Sequence, residues 1–282
     1  MSGRGPSSPR VPRAQRVIFA MGGGGFTMEP LNPLLDDFVL SLAPCARPRI
    51  LFLPTASGDT AAQISAFYAR YSDRACVPEH LSLFHLRDVN RPLAEIVLGQ
   101  DIVYTGGGSM RNLLAIWRAH GLDQILTSAW ERGVVLAGLS AGAMCWFEGG
   151  VTRSSGPATH MCGLGLLAGS LTVHADGEPD RLPVWLSAIS NGTLPGGWAV
   201  DDGVGLCFRG GHLQRVVSSR PGASAQRVDA VAGELVRDRL EPELLGSGVL
   251  GGDVNVDDDV RELREVIRLR ERFTQTRRYR RS

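Results

Sequence analysis

The sequence predicts a doubly wound α/β fold, in which helices flank both faces of a mainly parallel sheet. Short apolar runs alternate with amphipathic segments of helical length through the first half of the chain, as expected for parallel strands covered on both faces. Glycine-rich or special turns follow three of these runs, at 22–25, 106–108 and 138–142. Ligands bind beyond the carboxyl ends of the strands in such sheets, so we expect these turns to share one site.

Hydrophobic periodicity and turn residues place the individual elements. Apolar runs predict strands at 16–21, 49–53, 81–85, 101–105 and 134–137. Helical spacing predicts helices at 32–42, 60–71, 92–99, 110–119 and 122–131. After 150 the pattern loosens into a predicted loop at 151–169, a strand at 170–174, a helix at 181–191 and short antiparallel edge strands at 198–200, 204–208 and 213–218.

Composition divides the chain into three parts. Residues 1–15 are rich in Ser, Pro, Gly and Arg and are predicted to be a disordered leader. Residues 16–250 form the predicted single α/β domain. Residues 251–282 form a charged extension with helical spacing and a basic end, which we interpret as a solvated tail; nucleic-acid contact and partner docking are the less favoured alternatives.

Overall composition excludes several classes of function. A net charge of +1 argues against a general polyanion binder, and no apolar run is long enough to span a bilayer. The basic N-terminus lacks the apolar core of a secretory signal, so we predict a cytoplasmic protein. Five scattered cysteines without a CxxC suggest neither a disulfide framework nor a zinc site. All 30 basic residues are arginine, which excludes a Ser–Lys dyad, a Schiff-base lysine and a P-loop lysine.

The segment 133–150, GVVLAGLSAGAMCWFEGG, carries the strongest chemical signal. An apolar run leads into Gly138-Leu139-Ser140-Ala141-Gly142, and helix-forming residues follow. A serine at the apex of so tight a turn is strained, and the residues two before and two after it need to be nearly free of side chains. The pattern predicts a nucleophile elbow with Ser140 at its tip. The alternative is a plain turn in which Ser140 caps the following helix.

A serine nucleophile needs a general base and an oxyanion hole. Among six histidines, His174 alone ends a predicted strand after the elbow and precedes a polar turn, so it is the candidate base, with a structural histidine as the alternative. The backbone N–H of Ala141 is one candidate donor to an oxyanion. The glycine turn at 106–108 can supply the other.

These residues resemble the peptidase E family. The similarity runs from about Val17 to about Val228 and depends on YTGGGSMRNLL, GLSAGAMCWFEGG and the downstream histidine occurring in this order. These serine dipeptidases release N-terminal aspartate, are related to cyanophycinases, and have a class I glutamine amidotransferase-like, flavodoxin-like fold. The resemblance implies Ser140 as nucleophile and His174 as base, with Gly107 and Ala141 forming the oxyanion hole.

The resemblance also implies an arginine that binds the aspartyl carboxylate of the substrate. In this family that arginine lies downstream of the histidine. The segment Gly177-Glu178-x-x-Arg181 is similar to the matching family segment, so Arg181 is the candidate. A planar guanidinium suits a carboxylate because it can donate two parallel hydrogen bonds.

The orienting acid of the triad departs from the family pattern. The family acid is expected about fifteen to eighteen residues after the serine, but 155–158 reads Ser-Gly-Pro-Ala and holds no carboxylate. Glu148, at the end of the predicted elbow helix, is the favoured alternative. Asp176, Asp201 and Asp202 stay open, as does the absence of an orienting acid.

The sequence therefore predicts a serine peptidase that hydrolyses short peptides, with N-terminal aspartate favoured. The resemblance implies no cofactor and no metal, and the expected partner is a small peptide rather than a membrane or nucleic acid. The oligomeric state stays open, with a homodimer as the candidate. The alternatives are a cyanophycinase-like (iso)aspartyl peptidase and a non-catalytic amidotransferase-like binding protein.

Overall fold

The computed structural model describes residues 9–154 and 156–246. The chain divides into two units, Met1–Leu245 and Gly246–Ser282. The fold below belongs to the first unit. The extension predicted at 251–282 and the first eight residues of the predicted leader lie outside the described residues, so the predicted domain boundaries stay predictions.

The described end of the leader contacts the domain. The backbone N–H of Val11 donates to the carbonyl oxygen of Glu131 at 2.8 Å, and Arg10 forms an ion pair with the Glu131 carboxylate at 2.9 Å. A short 3-10 turn follows at Arg13–Gln15. Arg10 and Val11 thus contact the domain, while residues 12–15 are exposed, and the predicted leader as a whole stays a prediction.

Fourteen strands occur in the described part of the chain. They are β1 (Val17–Met21), β2 (Arg49–Leu53), β3 (Val77–His80), β4 (Ile102–Thr105), β5 (Val135–Leu139), β6 (Phe147–Thr152), β7 (Thr159–Cys162), β8 (Leu167–Val173), β9 (Gly197–Val200), β10 (Val204–Arg209), β11 (His212–Ser218), β12 (Ala225–Val231), β13 (Glu234–Leu240) and β14 (Glu243–Leu244).

Eight α-helices connect these strands within the same residues. They are α1 (Gly25–Met28), α2 (Leu34–Ser41), α3 (Ala61–Tyr71), α4 (Leu93–Leu98), α5 (Met110–Ala119), α6 (Leu122–Glu131), α7 (Ala141–Met144) and α8 (Arg181–Ser190). Short 3-10 turns lie at Thr55–Ser57 and Leu86–Asp88.

The strands form two sheets. The first has the order β14-β11-β10-β1-β5-β4-β2-β3, and its segment from β1 to β3 is parallel. The second has the order β13-β12-β9-β8-β6-β7, with β6, β8 and β9 parallel and their outer neighbours antiparallel. The predicted mixed α/β fold with parallel strands flanked by helices is confirmed. The second sheet was not predicted.

Strand alternation separates the core into layers. In β1, Val17, Phe19 and Met21 pack with α1, α2 and α3 on one face. Ile18 and Ala20 point to the other face, into a core shared by α4 to α7 and the second sheet. Helix α8 covers the opposite face of the second sheet through Trp185, which is fully buried. The first sheet is therefore covered on both faces, and the second sheet forms part of that cover.

Two local predictions are corrected by this arrangement. The predicted elbow helix ends at Met144, and Phe147–Thr152 is a strand of the second sheet, so Glu148 lies in a strand rather than at a helix end. The strand predicted at 81–85 lies earlier, at Val77–His80. Apolar spacing alone could not tell a short helix from a short strand at Glu148, or place the short strand β3.

No helix among the described residues combines the length and the apolar character needed to cross a bilayer.

Candidate active site

The turn after β5 has the geometry of a nucleophile elbow. Ser140 has φ 52° and ψ −117°, a strained conformation for a residue with a side chain. A Cβ on Gly138 would lie 2.1 Å from the carbonyl oxygen of Gly142, and one on Gly142 would lie 2.4 Å from the carbonyl oxygen of Thr105. Both glycines are required by close approach of backbone. The turn therefore presents the Ser140 hydroxyl at the carboxyl end of the strand.

The second sheet brings the histidine to this serine. His174 follows β8 directly, and its Nε2 lies 2.9 Å from Ser140 Oγ. Its own φ is 55°, and its carbonyl oxygen accepts hydrogen bonds from the N–H groups of Gly177 and Glu178. A tight turn thus holds the imidazole against the elbow.

The acid that contacts the histidine is Asp202. Its Oδ1 lies 2.5 Å from His174 Nδ1. Asp202 comes shortly after β9, which pairs in parallel with β8 in the register Val173 with Val200. Two neighbouring strands therefore deliver the histidine and the acid to the same sheet edge.

Glu148, the acid favoured from the sequence, does not contact His174. It lies in β6, where its Oε2 accepts a hydrogen bond from the backbone N–H of Gly169 at 2.8 Å. That bond joins β6 to the start of β8. The placement of Glu148 in the triad is therefore a wrong prediction, because β6 carries its side chain to a neighbouring strand instead of to the elbow.

The two remaining alternatives, Asp176 and Asp201, orient the segment around Asp202. Asp176 Oδ1 accepts from the backbone N–H of Asp202 at 2.9 Å. Asp201 Oδ2 accepts from the backbone N–H of Ser224 at 2.8 Å and from its hydroxyl at 3.1 Å. Both carboxylates thus fix the chain that carries the acid.

The glycine run after β1 makes room for the histidine and the acid. A Cβ on Gly22 would lie 2.3 Å from the carbonyl oxygen of Asp201. One on Gly23 would lie 2.0 Å from Asp202 Oδ1 and 2.9 Å from His174 Cε1. The run thus lines the site, as the sequence predicted. Because glycine has no side chain, the segments that carry Asp202 and His174 can approach the end of β1 closely.

Charge stabilises the ionised form of Asp202. Burial acts to raise its pKa, but the hydrogen bond and charge of His174, together with the charges of Arg220 and Arg181, outweigh burial and lower it. Arg220 reaches this position by packing over Gly203 and pairs through Nε with Glu29 Oε1 at 2.5 Å. An ionised carboxylate at His174 Nδ1 suits a histidine that becomes protonated during a reaction.

The predicted oxyanion residues lie beside the serine. Ala141 is the first residue of α7, where backbone N–H groups have no acceptor within the helix. A Cβ on Gly107 would lie 3.4 Å from Ser140 Cβ, so the glycine turn after β4 is adjacent. Gln63 Nε2 donates to the carbonyl oxygen of Gly107 at 3.3 Å and thereby holds that turn.

A cavity of about 370 Å³ opens next to these groups. Ser140 and His174 line it together with Arg153, Glu178 and Arg181. The predicted substrate-binding residue Arg181 therefore reaches the same cavity as the serine. Burial lowers the pKa of Arg181, while the charge of Glu178 acts to raise it. Sequence reasoning did not single out Arg153, because an isolated arginine after a glycine-rich run carries no distinctive pattern.

Cys145 lies close to the elbow in sequence but is fully buried, and burial raises the pKa of its thiol well above the usual range. It packs as a small apolar residue. Within residues 9–154 and 156–246, no cluster of three or more His, Cys, Asp or Glu side chains could hold a metal ion.

A strained serine on a strand-to-helix turn, bonded to a histidine that is bonded to a carboxylate, defines the class of α/β proteins with a Ser-His-acid constellation. Comparison with known proteins gives the family. The model of peptidase family S51 matches residues 18–216. The chain belongs to this family, the peptidase E family, and is a peptidase by that membership.

Relatives agree with this assignment. The chain is 49% identical over 231 residues to a Bacillus subtilis (strain 168) protein described as the uncharacterized peptidase YgaJ, covering 82% of this chain and 100% of that protein. The crystal structure of a peptidase from an acI-B1 Actinobacterium superposes with a TM-score of 0.62 at 20% identity, covering 80% of this chain and 94% of that one. At this identity the second likeness concerns the fold alone.

Proposed function

We propose that this peptidase is a serine peptidase that forms an acyl-enzyme on Ser140. The observation that carries the proposal is the continuous contact chain of Ser140 Oγ, His174 and Asp202, with separations of 2.9 Å and 2.5 Å. Both separations are short enough for a nucleophile to contact its base and for the base to contact the group that orients it.

Each residue has one role in the proposed reaction. Ser140 Oγ attacks the scissile carbonyl while His174 Nε2 accepts the hydroxyl proton, and the histidine then returns that proton to the leaving amine. A water molecule repeats the sequence on the acyl-enzyme and releases the acid product. Asp202 keeps the proton of His174 on Nδ1 and stabilises the imidazolium that forms in each step.

Two backbone groups are proposed to stabilise the negative oxygen of the tetrahedral intermediate. They are the N–H groups of Ala141, at the start of α7, and of Gly107, in the turn after β4. Losing one such donor costs about 3 kcal/mol in acyl-transfer enzymes. The strain at Ser140 contributes by holding its hydroxyl in one position relative to both.

The proposed substrates are short peptides, with N-terminal aspartate favoured. A cavity of about 370 Å³ has room for a small peptide, and its wall holds two arginines and one glutamate. The predicted substrate-binding residue Arg181 is one of these arginines, and the positive charge of this wall favours an acidic side chain. The cytoplasmic location and the preference for dipeptides stay predictions.

Hydrolysis of Asp-p-nitroanilide by the wild type and by Ser140→Ala tests the proposal. We expect turnover by the wild type and its loss in the variant, by a factor on the order of 10⁶ in kcat, as for other catalytic serines. Labelling of the wild type by a fluorophosphonate, absent in Ser140→Ala, reports on the nucleophile without depending on the substrate.

Two alternatives have distinct outcomes in the same assay. A cyanophycinase-like enzyme would leave Asp-p-nitroanilide intact and cleave β-Asp-Arg. A non-catalytic binding protein would hydrolyse neither substrate and resist the fluorophosphonate. The contact of Asp202 with His174 supports the enzyme over the binding protein, because it supplies the histidine with a carboxylate although 155–158 holds none.

A further inference from the structure

The turn that carries Asp202 is held from two sides. On one side, the backbone N–H of Gly203 donates to the carbonyl oxygen of Gly23, in the glycine run after β1, at 3.1 Å. On the other side, the backbone N–H of Ser219 donates to the carbonyl oxygen of Gly203 at 2.8 Å. The segment that follows β11 therefore fixes the residue next to the acid.

Arg220 packs directly on this turn. Its backbone is fixed by Ser218, whose hydroxyl donates to the carbonyl oxygen of Arg220 at 2.7 Å and accepts from its N–H at 3.0 Å. A Cβ on Gly203 would lie 2.8 Å from both Cγ and Cδ of Arg220 and 3.0 Å from its Nε. The stem of the arginine thus occupies the space beside Gly203 that a side chain there would need.

Glu29 holds the guanidinium of Arg220 in place. One carboxylate oxygen of Glu29 lies 2.5 Å from Arg220 Nε, and the other accepts from the Ser219 hydroxyl at 2.8 Å. The Glu29 side chain is 9% exposed. A Cβ on Gly24 would lie 3.0 Å from Glu29 Oε2 and 3.4 Å from Gly203 Cα, so the carboxylate lies close to the same turn. The ion pair therefore joins the segment after the glycine run to the segment after β11.

Charged and titratable side chains approach Asp202 from several elements. His174 contacts its Oδ1, and Asp176 accepts from its backbone N–H. The pKa of Asp202 is lowered although burial acts to raise it, and the charges of Arg220 and Arg181 add to the effect of His174. Arg181 lines the cavity beside Ser140, whereas Arg220 is not among the described residues that line it. Arg220 can therefore act on the acid without contacting the substrate.

We propose that Arg220, held in place by Glu29, is a positioning residue of the triad and acts on the reaction through Asp202. Its side chain holds the turn at 202–203, and its positive charge favours the carboxylate that stabilises the imidazolium of His174. This rests on the proposed function, since it concerns the acid of the same constellation. An arginine suits this role because its charge is permanent and its several N–H donors have a fixed geometry.

A double-mutant cycle between Arg220 and Asp202 tests the proposal. Arg220→Met keeps most of the stem and removes the charge, and we expect kcat on Asp-p-nitroanilide to fall about tenfold, within the range of coupling between neighbouring residues. KM should stay unchanged, because Arg220 does not line the described cavity. In the Asp202→Asn background the same substitution should have no further effect, since no carboxylate is left to position. Arg220→Lys keeps the charge and should restore part of kcat.

Arg215→Met is the matched control for removing an arginine that pairs with a glutamate. Arg215 lies in β11 and contacts Glu243 at 2.7 Å. It pairs with Cys207 in β10, whereas Ser218 pairs with Val204 near the acid. We therefore expect Arg215→Met to leave kcat unchanged.

A second variant keeps the test valid if Arg220→Met is unstable. That substitution leaves the nearly buried Glu29 carboxylate without its arginine, which is costly. Glu29→Gln/Arg220→Met removes both charges, and the amide oxygen can still accept from the Ser219 hydroxyl. This variant should have a Tm near that of the wild type and the same loss of kcat.

Three results would overturn the proposal. They are full kcat in folded Glu29→Gln/Arg220→Met, an equal loss from Arg220→Met in the Asp202→Asn background, and a rise in KM at constant kcat.

Failure of the proposed function is a different result, in which the wild type shows no turnover. Carbon-13 NMR of the Asp202 carboxyl as pH is varied, assigned with Asp202→Asn, still tests the role of Arg220 in that case. Arg220→Met should raise the pKa of Asp202, because a positive charge beside it is removed. An unchanged pKa of Asp202 in this variant would contradict the proposal.

Discussion

The two halves of the site are built in different ways. The serine half is local, because one continuous segment of strand, turn and helix supplies the strained Ser140, its two flanking glycines and the N–H of Ala141. The histidine half is assembled over distance, since His174 and Asp202 follow two strands of another sheet, 28 residues apart. The spacing between the glycines and the serine of the elbow cannot change. The positions of His174 and Asp202 depend instead on the register of their strands and on how closely the two sheets approach.

This comparison predicts that the pairing register of β8 and β9 decides which carboxylate contacts His174. Nearness to Ser140 in sequence does not decide it. Asp202→Asn should lower kcat by about 10⁴-fold, because the amide cannot stabilise the imidazolium. Glu148→Gln is the matched control. Its amide oxygen can still accept from the Gly169 N–H, so turnover should stay near the wild-type value. Steady-state kinetics on Asp-p-nitroanilide distinguish the two.

The reverse result, with Glu148→Gln inactive and Asp202→Asn active, would contradict the assignment of the acid. Fluorophosphonate labelling of both variants gives a second measurement, since it reports on the reactivity of Ser140 independently of substrate binding.

A smaller effect is expected where the two halves meet. In Gly23→Ala the new Cβ would lie 2.0 Å from Asp202 Oδ1, so the carboxylate has to move away from His174. A displacement of about 1 Å can cost about 10²-fold in rate, so we expect a loss of at least about 10²-fold in kcat. The measurement is kcat at saturating substrate.

Gly121→Ala is the control for adding a methyl group to a glycine. A Cβ there meets nothing within 4 Å, although its φ of 65° brings backbone strain. It should lower Tm and leave kcat unchanged. If Gly23→Ala also kept full kcat, the glycine run would have no part in placing Asp202.

The glycine turn beside Ser140 should respond weakly to loss of a supporting contact. Gln63→Met keeps the length of the side chain but removes the hydrogen bond to the Gly107 carbonyl. One such bond contributes about 1 kcal/mol, so we expect kcat to fall by roughly tenfold or less, with KM unchanged. A rise in KM at constant kcat would instead mean that Gln63 contacts the substrate.

The weakest effect on turnover is expected from a change in α2, which packs with α1 and α3 on one face of the first sheet. Asp36 lies in α2 and is fully buried, and burial raises its pKa to about 6 despite the Tyr71 hydrogen bond and the Arg70 charge. Between the ordinary value of 3.8 and about 6 the folded protein binds more protons than the unfolded chain. Stability contributed by this group is therefore present at low pH and lost as pH rises through that window.

Denaturant unfolding of the wild type and of Asp36→Asn tests this sign. From about pH 4 to about pH 7 the wild type should lose up to about 3 kcal/mol of unfolding free energy relative to the variant. The kcat of the variant should equal that of the wild type wherever both are folded. A difference that does not vary with pH would show that Asp36 does not titrate in this range.

Several parts of this molecule could be predicted from the sequence because their causes are local. Helices α5 and α6 begin and end where their apolar spacing places them, and β2 coincides with its apolar run. The elbow could be predicted because Gly138 has to leave room for the carbonyl oxygen of Gly142, a contact between residues close in sequence. His174 could be selected because it ends a strand after the elbow.

The sequence by itself determined the α/β class, the elbow with Ser140, and His174 as the candidate base. Only the tertiary structure decided which carboxylate meets that histidine, because Glu148 and Asp202 differ in strand position and not in chemistry. It also decided that Arg153 lines the same cavity as Arg181 and Ser140. The physical reason is that backbone strain and helix periodicity act between residues near in sequence. The register of parallel strands and the approach of two sheets depend on residues far apart in the chain.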